Sequence, residues 1–432
     1  MGLFQLRANG TNIQTEIIAG ISTFLATSYI IVVNPAILSE TGMPFSAVAT
    51  ATVVVCLFSS VLMGLYARNP VVVAPGMGLN AFFTYSAVLG MGVPWQTALG
   101  AVFWSGIFFL LLSVFNIRTH IVRAIPKPLR YAIAAGIGLF ITLIGLANAG
   151  FVAQNKATII GRGALQPSVL VFVLGLLLTA VFIVRNMKGA ILFGIIITTL
   201  LAATIGRWWG GSVPLVHFSG LFAPPDFSLV GQLDLWGSLQ FAVLPVIFAF
   251  VFTDLFDSLS TLVGLSEAAG LVDENGEPRN IKRALVTDAL ATTVAGLVGS
   301  SPGTAFIESA VGIKEGGRTG LTAVVAGLLF LPFLFLSPLL SMVPSIATAP
   351  ALVLVGAFML QPVIRINWLQ LDDAIPAFLA MVLIPFTYSI SQGIIWGFLS
   401  WTVIKMACGK WGELPPALLA IDAFCVLALV LE

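Results

Sequence analysis

The chain has 432 residues, 59% of them apolar and 9% charged, with a mean hydropathy of +1.06 and a net charge of +1 from 19 basic and 18 acidic side chains. Soluble domains are about a quarter charged, so composition excludes a soluble enzyme, and near-neutral charge without a long Lys/Arg run removes the electrostatic footprint of a nucleic-acid binder. A membrane helix takes roughly 20 apolar residues, so fourteen would use about 280, and the length admits a large polytopic bundle.

At the N-terminus the segment MGLFQLRANGTNIQTE is polar, and the apolar run after it lacks a short-residue cleavage pattern, so a spanning helix is expected rather than a removable signal. Further spans are predicted near 46–66, 71–89, 95–115, 129–148, 167–184 and 189–206. A polar and aromatic connection over 207–239 follows, and its FSLVGQLDLWGSL segment is expected to lie along the membrane interface. The second half gives spans near 240–266, 284–299, 301–313, 319–337, 346–361, 374–390 and 391–408. The apolar tail, 415–431, begins with two prolines and carries Asp422, so it reads as a surface or packing helix. Cys56, Cys408 and Cys425 sit in apolar stretches with no CxxC or His pairing, which leaves neither a disulfide framework nor a zinc site.

Basic residues mark cytoplasmic loops. With both ends inside and fourteen crossings, sixteen of the 19 Lys and Arg fall inside, and only Lys156, Arg162 and Arg207 outside. Twelve spans remain possible if two weak pairs are re-entrant. Seven spans in each half imply an inverted duplication, since an odd repeat must enter the membrane in opposite senses. The third span, NPVVVAPGMGLNAFFTYSAVL, and the tenth, SSPGTAFIESAVGIKEGG, both open on a Pro/Gly-interrupted extended piece and then turn into a short helix, 228 to 232 residues apart. Such paired breaks point to a substrate site near the midplane, although Pro and Gly are also simply more frequent in membrane helices.

Four acids fall inside spans: Asp254, Asp257, Asp288 and Glu308. Facing lipid, each would cost roughly 2.5–3.5 kcal/mol, so a shared polar interior is expected. Asp254 and Asp257, three apart, project from one helical face with Thr261 a turn further on. Glu308 begins the broken tenth helix, and Asn80 holds the matching place in the third. Carboxyls in low dielectric without cations bind protons readily and pair with the donor–acceptor edges of purines, pyrimidines and amides. A net-negative cavity therefore favours a neutral or weakly cationic solute moving with a proton. Asp288 reads equally as an acid that pairs helices.

NPVVVAPGMGLNAFF, DLFDSLSTLVGLSEAAGL, GTAFIESAVGIKEGGRTG and QTEIIAGISTFLATSYIIVVNP together resemble the adenine/guanine/hypoxanthine branch of the xanthine/uracil permease family, over about residues 11–410. The resemblance implies an all-α polytopic fold of 14 segments as a 7+7 inverted repeat, with short strands in spans 3 and 10 pairing beside the substrate. It implies a core domain from 16–116 and 240–337, a gate domain from 129–206 and 346–408, and often a homodimer through the gate. By matching position it makes Asp257, Glu308, Asn80, Ser309 and Asp254 substrate-binding residues, with backbone near Ala305, Phe306 and Gly78. The coupling proton then falls to Asp254, Asp257, Asp288 or Glu308, with Asp288 more a proton-linked or orienting group than a direct contact. Uracil and xanthine carriers look to have Glu where Asp257 stands, which favours the purine branch. Phe82, Phe83 and Phe306 are candidates to stack on a flat ring.

The expected function is thus a multi-pass cell-membrane importer of a purine base with a proton, working by alternating access, with no cofactor and no metal. A uracil/xanthine-type symporter or an anion carrier on the same architecture are the alternatives within transport; the anion carrier predicts a basic residue near the breaks, and none occurs in 71–115 or 287–313. A membrane-embedded hydrolase is the rival of another class, but His120 and His217 fall in predicted loops on opposite sides and no HExxH is present.

Overall fold

Wherever the apolar periodicity runs unbroken the chain is helical. The computed structural model describes residues 4–115, 125–155, 158–209, 216, 220–272 and 278–431; Arg118, His120, Arg123, Lys156 and His217 lie outside them. The first span is helix α1 (Ile13–Thr27) and helix α2 (Ile30–Leu38), interrupted at Ser28 and Tyr29, with Pro35 inside α2. Helix α3 (Phe45–Leu62) leads through a π-helical turn, Met63–Ala67, to strand β1 (Val73–Pro75) and helix α4 (Met77–Ala81), which widens into a second π-helical stretch, Phe82–Gly90. Helices α5 (Trp95–Val114) and α6 (Lys127–Asn148) are followed by a hairpin of β2 (Val152–Asn155) and β3 (Ile159–Arg162), then α7 (Pro167–Val184) and α8 (Ala190–Trp209).

The second half opens with α9 (Leu244–Ala269) and α10 (Ile281–Val298). Strand β4 (Gly303–Ala305), a tight turn and helix α11 (Ala310–Lys314) follow, the same strand-then-short-helix order as in the third span. Then come α12 (Gly320–Leu329), α13 (Ser337–Ser341), α14 (Ser345–Met359), α15 (Leu371–Thr387), α16 (Ile390–Ala407) and α17 (Pro416–Leu431). Seven helices among the described residues are long and apolar enough to cross a bilayer. The tail helix α17 packs on α16, with Thr402 donating to Asp422 at 2.5 Å.

Contacts sort the helices into two bundles. One gathers α1, α2, α3, α5, α9, α10, α11 and α12 around the two short strands; the other gathers α6, α7, α8, α14, α15 and α16. The connection after α8, expected along the membrane interface, is extended and turn-rich over 220–236. Pro224 and Pro225 forbid a helix there, and the Asp226 and Asp234 carboxylates take the Ser228 and Gly237 amides into local turns. The segment instead straps the ends of the first bundle. Ser46 donates to Asp226 (2.7 Å), the Gly231 amide to the Leu297 carbonyl (2.9 Å), the Asp234 amide to the Gln96 carbonyl (2.9 Å), and the Trp104 indole to the Leu235 carbonyl (3.0 Å).

The opposite end of that bundle is clamped by two side chains. Glu16, fully buried on α1, accepts the Arg318, Thr319 and Thr322 amides and the Thr322 hydroxyl, capping α12 from another helix. Arg279 donates to Asn9 and to the Arg68 and Arg318 carbonyls. Glu16→Ala removes every bond of this borrowed cap and leaves buried donors unmatched, at a cost of about 3 kcal/mol. The melting temperature of the detergent-solubilised protein should fall, and Glu16→Gln, which keeps part of the acceptor set, should fall less.

Candidate functional site

Val71, Val72 and Val73 lie between Pro70 and Pro75, and Pro302 precedes Gly303, so neither break can continue a helix. An extended backbone at membrane depth must find partners inside the protein. Here β1 and β4 supply each other, pairing antiparallel with Val73 opposite Ala305, Ala74 opposite Thr304 and Pro75 opposite Gly303. The Phe306 amide donates to the Val72 carbonyl and the Gly76 amide to the Pro302 carbonyl, both at 2.9 Å. Serines complete the set: Ser60 bonds the amide and carbonyl of Val73, Ser309 accepts the Val72 amide (3.0 Å), and Ser258 accepts the Ala305 amide (3.4 Å). Ser309 thus has a backbone duty in addition to any contact with a ligand.

The four intramembrane acids divide into an open pair and a sealed pair. Asp257 on α9 and Glu308 after β4 are both partly exposed at the strand crossing. Thr304 donates to Asp257 at 3.4 Å, and the Tyr29 hydroxyl donates to Glu308 at 2.7 Å. Asp254 and Asp288 are 1% and 0% exposed and interact with each other behind β4. Thr292 ties them to the strand, its hydroxyl lying 2.7 Å from Asp254 and 3.1 Å from the Gly303 carbonyl. Periodicity alone placed Asp254 and Asp257 on one face; the packing of α10 and β4 against that face is what separates them.

Asn80 is fully buried, and Ser301 donates to its side-chain oxygen while also reaching Asn34. Asn34 in turn donates to Thr52 (2.8 Å) and Ser300 (3.1 Å). The Asn80 Nδ2 has no hydrogen-bond partner, an orphan donor held rigidly beside the crossing. Residues 299–303 read Gly-Ser-Ser-Pro-Gly, the spacing of a hydrolase nucleophile elbow, yet the Ser301 hydroxyl is engaged by two asparagines rather than by a base. Ala305 and Phe306 are nearly buried in the strand and the turn after it, and Phe306 lies 6.4 Å from the Tyr29 ring. Phe82 and Phe83 are buried and pack on Phe250, so the core uses both rings. Gly78 faces the second bundle, where a Cβ would stand 2.5 Å from Ile137. Tyr29 escaped the sequence reading. Its only signal was a polar ring in the first apolar span; the interruption of α1 and α2 at that residue was not legible. Among the described residues no group of three His, Cys, Asp or Glu is placed to hold a metal.

The Permease family model (xanthine/uracil permeases) matches residues 14–395. The adenine permease AdeP of Escherichia coli (strain K12) is 44% identical over 431 residues, 99% of this chain and 95% of that one. The guanine/hypoxanthine permease PbuO of Bacillus subtilis (strain 168) is 41% identical over 422 residues, 96% of each. The transmembrane domain of a cyanobacterium bicarbonate transporter, BicA, shares the fold at a TM-score of 0.64 and 17% identity, over 89% of this chain and 97% of that one. SLC26A9 does so at a TM-score of 0.64 and 8% identity, over 93% and 67%.

Thr292→Val keeps the shape and deletes the one hydroxyl that links the sealed acids to β4. A loss of about 2 kcal/mol is expected, read as a lowered unfolding midpoint in detergent, and Thr292→Ser should recover most of it.

Proposed function

The chain belongs to the xanthine/uracil permease family, a family of nucleobase carriers, and on that premise we propose that it imports a purine base, adenine, guanine or hypoxanthine, together with a proton. One observation carries the choice: two partly exposed carboxyls flank a strand crossing that is built from segments without a single Lys or Arg. Residues 13–41, 69–115, 244–269 and 284–313 contain none. An anion would meet uncompensated acids there, whereas a neutral base would meet acceptors for its N–H groups. The likeness to a bicarbonate transporter and to SLC26A9 is one of fold, so it supports the architecture and not an anionic cargo.

Asp257 and Glu308 accept hydrogen bonds from the base, and the orphan Nδ2 of Asn80 donates to an acceptor on its edge. Ser309 shapes the pocket through the Val72 amide, and the backbone of Ala305, Phe306 and Gly78 lines it. Tyr29 is a positioning residue: its hydroxyl occupies one oxygen of Glu308 and fixes the plane in which the other is offered. The proton travels on one carboxyl of the set Asp254, Asp257, Asp288 and Glu308. In this reading the sealed pair Asp254 and Asp288 is the reserve for that proton, and the Thr292 hydroxyl, next to Asp254 and the Gly303 carbonyl, is its link to β4.

In this scheme the first bundle is the core domain and the second the gate domain, and the core slides against the gate to expose the site to each side in turn. Both termini are cytoplasmic, as the Lys/Arg bias supports, in a bacterial cytoplasmic membrane, and two copies pair through the gate.

Glu308→Ala should lower purine uptake by at least about a hundredfold, since a buried polar recognition site tolerates the loss of a partner poorly, while membrane insertion stays normal; uptake at the wild-type rate would refute the assignment. Tyr29→Phe should raise KM about five- to tenfold, by the same factor for adenine, guanine and hypoxanthine, because the hydroxyl touches Glu308 and not the base. Hypoxanthine added to right-side-out vesicles should make the external medium more alkaline, and uptake without any pH change would remove the proton from the scheme.

A further inference from the structure

Both exposed faces of the site run toward the same end of the molecule. From Asp257, the face of α9 continues through Ser260 and Gly264, both exposed although they are small or polar. From Glu308, the face beside it runs through Ile307, 55% exposed, to the exposed Lys314 at the end of α11. Serine, glycine and lysine on such a face fit a water-filled vestibule better than acyl chains. At the other end nothing comparable is open, since every residue from 77 through 87 is buried.

That closed end is fastened across the seam between the two bundles by polar contacts. Tyr85, from the first bundle, donates to Glu40 of the same bundle at 2.9 Å. Asn148, at the end of α6 in the second bundle, reaches over to donate to both, at 3.0 Å to the Tyr85 hydroxyl and 3.3 Å to Glu40. Beside them the Ser86 hydroxyl donates at 2.8 Å to the carbonyl of Tyr388, just past the end of α15. Tyr388 is held at φ 57° and packs its ring edge-on against Phe140 of α6, so the acceptor belongs to the second bundle's own framework. The contacts join bundle to bundle at the level where α2, α6 and α15 end, and no ion pair takes part, so none is too costly to break in every transport cycle.

We propose that Glu40, Tyr85, Ser86, Asn148 and Tyr388 form the outer latch of the carrier, closed in this inward-open structure, and that it must part before a base can enter from outside. The proposal rests on the orientation and alternating-access scheme above. Loosening the latch moves the population toward the outward-open state, because a bond present in only one of two states stabilises that state alone.

Ser86, 2% exposed, is the reporter. Ser86→Cys is placed in a Cys408→Ser background, the other two cysteines being buried, and intact cells are treated with a membrane-impermeant maleimide. Labelling should be slow, and should become about tenfold faster when Asn148→Ala or Tyr85→Phe is added. Unchanged labelling in both variants, each inserted at normal levels, would overturn the latch. Labelling requires no purine, so a wrong substrate would appear as absent uptake in the wild type and leave the labelling result standing.

Discussion

A peptide group that leaves helical geometry inside hydrocarbon has to be satisfied by protein, and this structure is arranged around two places where the chain does so. The breaks at β1 and β4 satisfy each other through three register pairs and the flanking bonds at Val72 and Gly76. Single hydroxyls from α3, α9 and α10, together with Ser309 next to β4, cover the remaining groups. A pairing of this kind requires both breaks to sit at one depth, which forces the two halves to cross there. The short helices α4 and α11 then start from the crossing, and their first residues, with the middle of α9, converge on one spot. The site is a consequence of backbone bookkeeping in a medium without water.

This explains what could be read from the chain and what could not. Prolines and glycines at 70, 75, 302 and 303, followed by Asn80 and Glu308, are local signals, and the matched breaks were visible at the separation the strand register has. The acids were visible too, because a charged residue in an apolar run stands out whatever surrounds it. Their division was invisible: Asp254 and Asp257 are equivalent in periodicity, and only α10 and β4 distinguish the side that is sealed. Tyr29 was missed because its partner lies 279 residues away. The strap's bonds to α3, α5 and α10 were hidden for a related reason, since their partners are distant in sequence. The strap's own sequence alternates apolar and polar residues well enough, but Pro224, Pro225 and the turn-forming Asp226 and Asp234 override the pattern by offering the backbone local partners.

Charge placement sets the character of the site more than its shape does. The segments that meet at the crossing bring four carboxyls, Asp254, Asp257, Asp288 and Glu308, to its surroundings and no cation, an arrangement that would be prohibitive if all four were ionised in a low-dielectric interior. Neutral residues share the load. Tyr29 and Thr304 serve the open acids, and Thr292 serves the sealed ones. Lys and Arg are instead held at the helix ends, where Arg279 and Arg318 bond backbone carbonyls and Lys405 gathers Asp372, Asp373 and Glu413. Cations therefore stabilise the ends of the bundles and leave the acids of the interior to neutral hydroxyl partners.

Which surfaces can move follows from comparing the contacts within a bundle with those between bundles. Within the first bundle, Glu16 and Arg279 tie α1, α12 and the chain entering α10 at one end, and the strap ties α3, α5 and α10 at the other. A shear inside that bundle would strand buried donors and acceptors at many points at once. Between the bundles the contacts have a different character. Gly78 lets α4 approach Ile137 so closely that a Cβ could not fit. The polar bonds at the seam described above are neutral ones, worth about 1 kcal/mol each against water, and two to the Glu40 carboxylate, worth about 1.5–3 kcal/mol each. A rigid body clamped at both ends, and held to its neighbour by these bonds at one rim and by the partly exposed Lys188–Glu315 ion pair (2.9 Å) at the other, moves most cheaply along the seam. Because β1, β4, Asp257 and Glu308 all belong to the clamped bundle, that displacement carries the site as a unit.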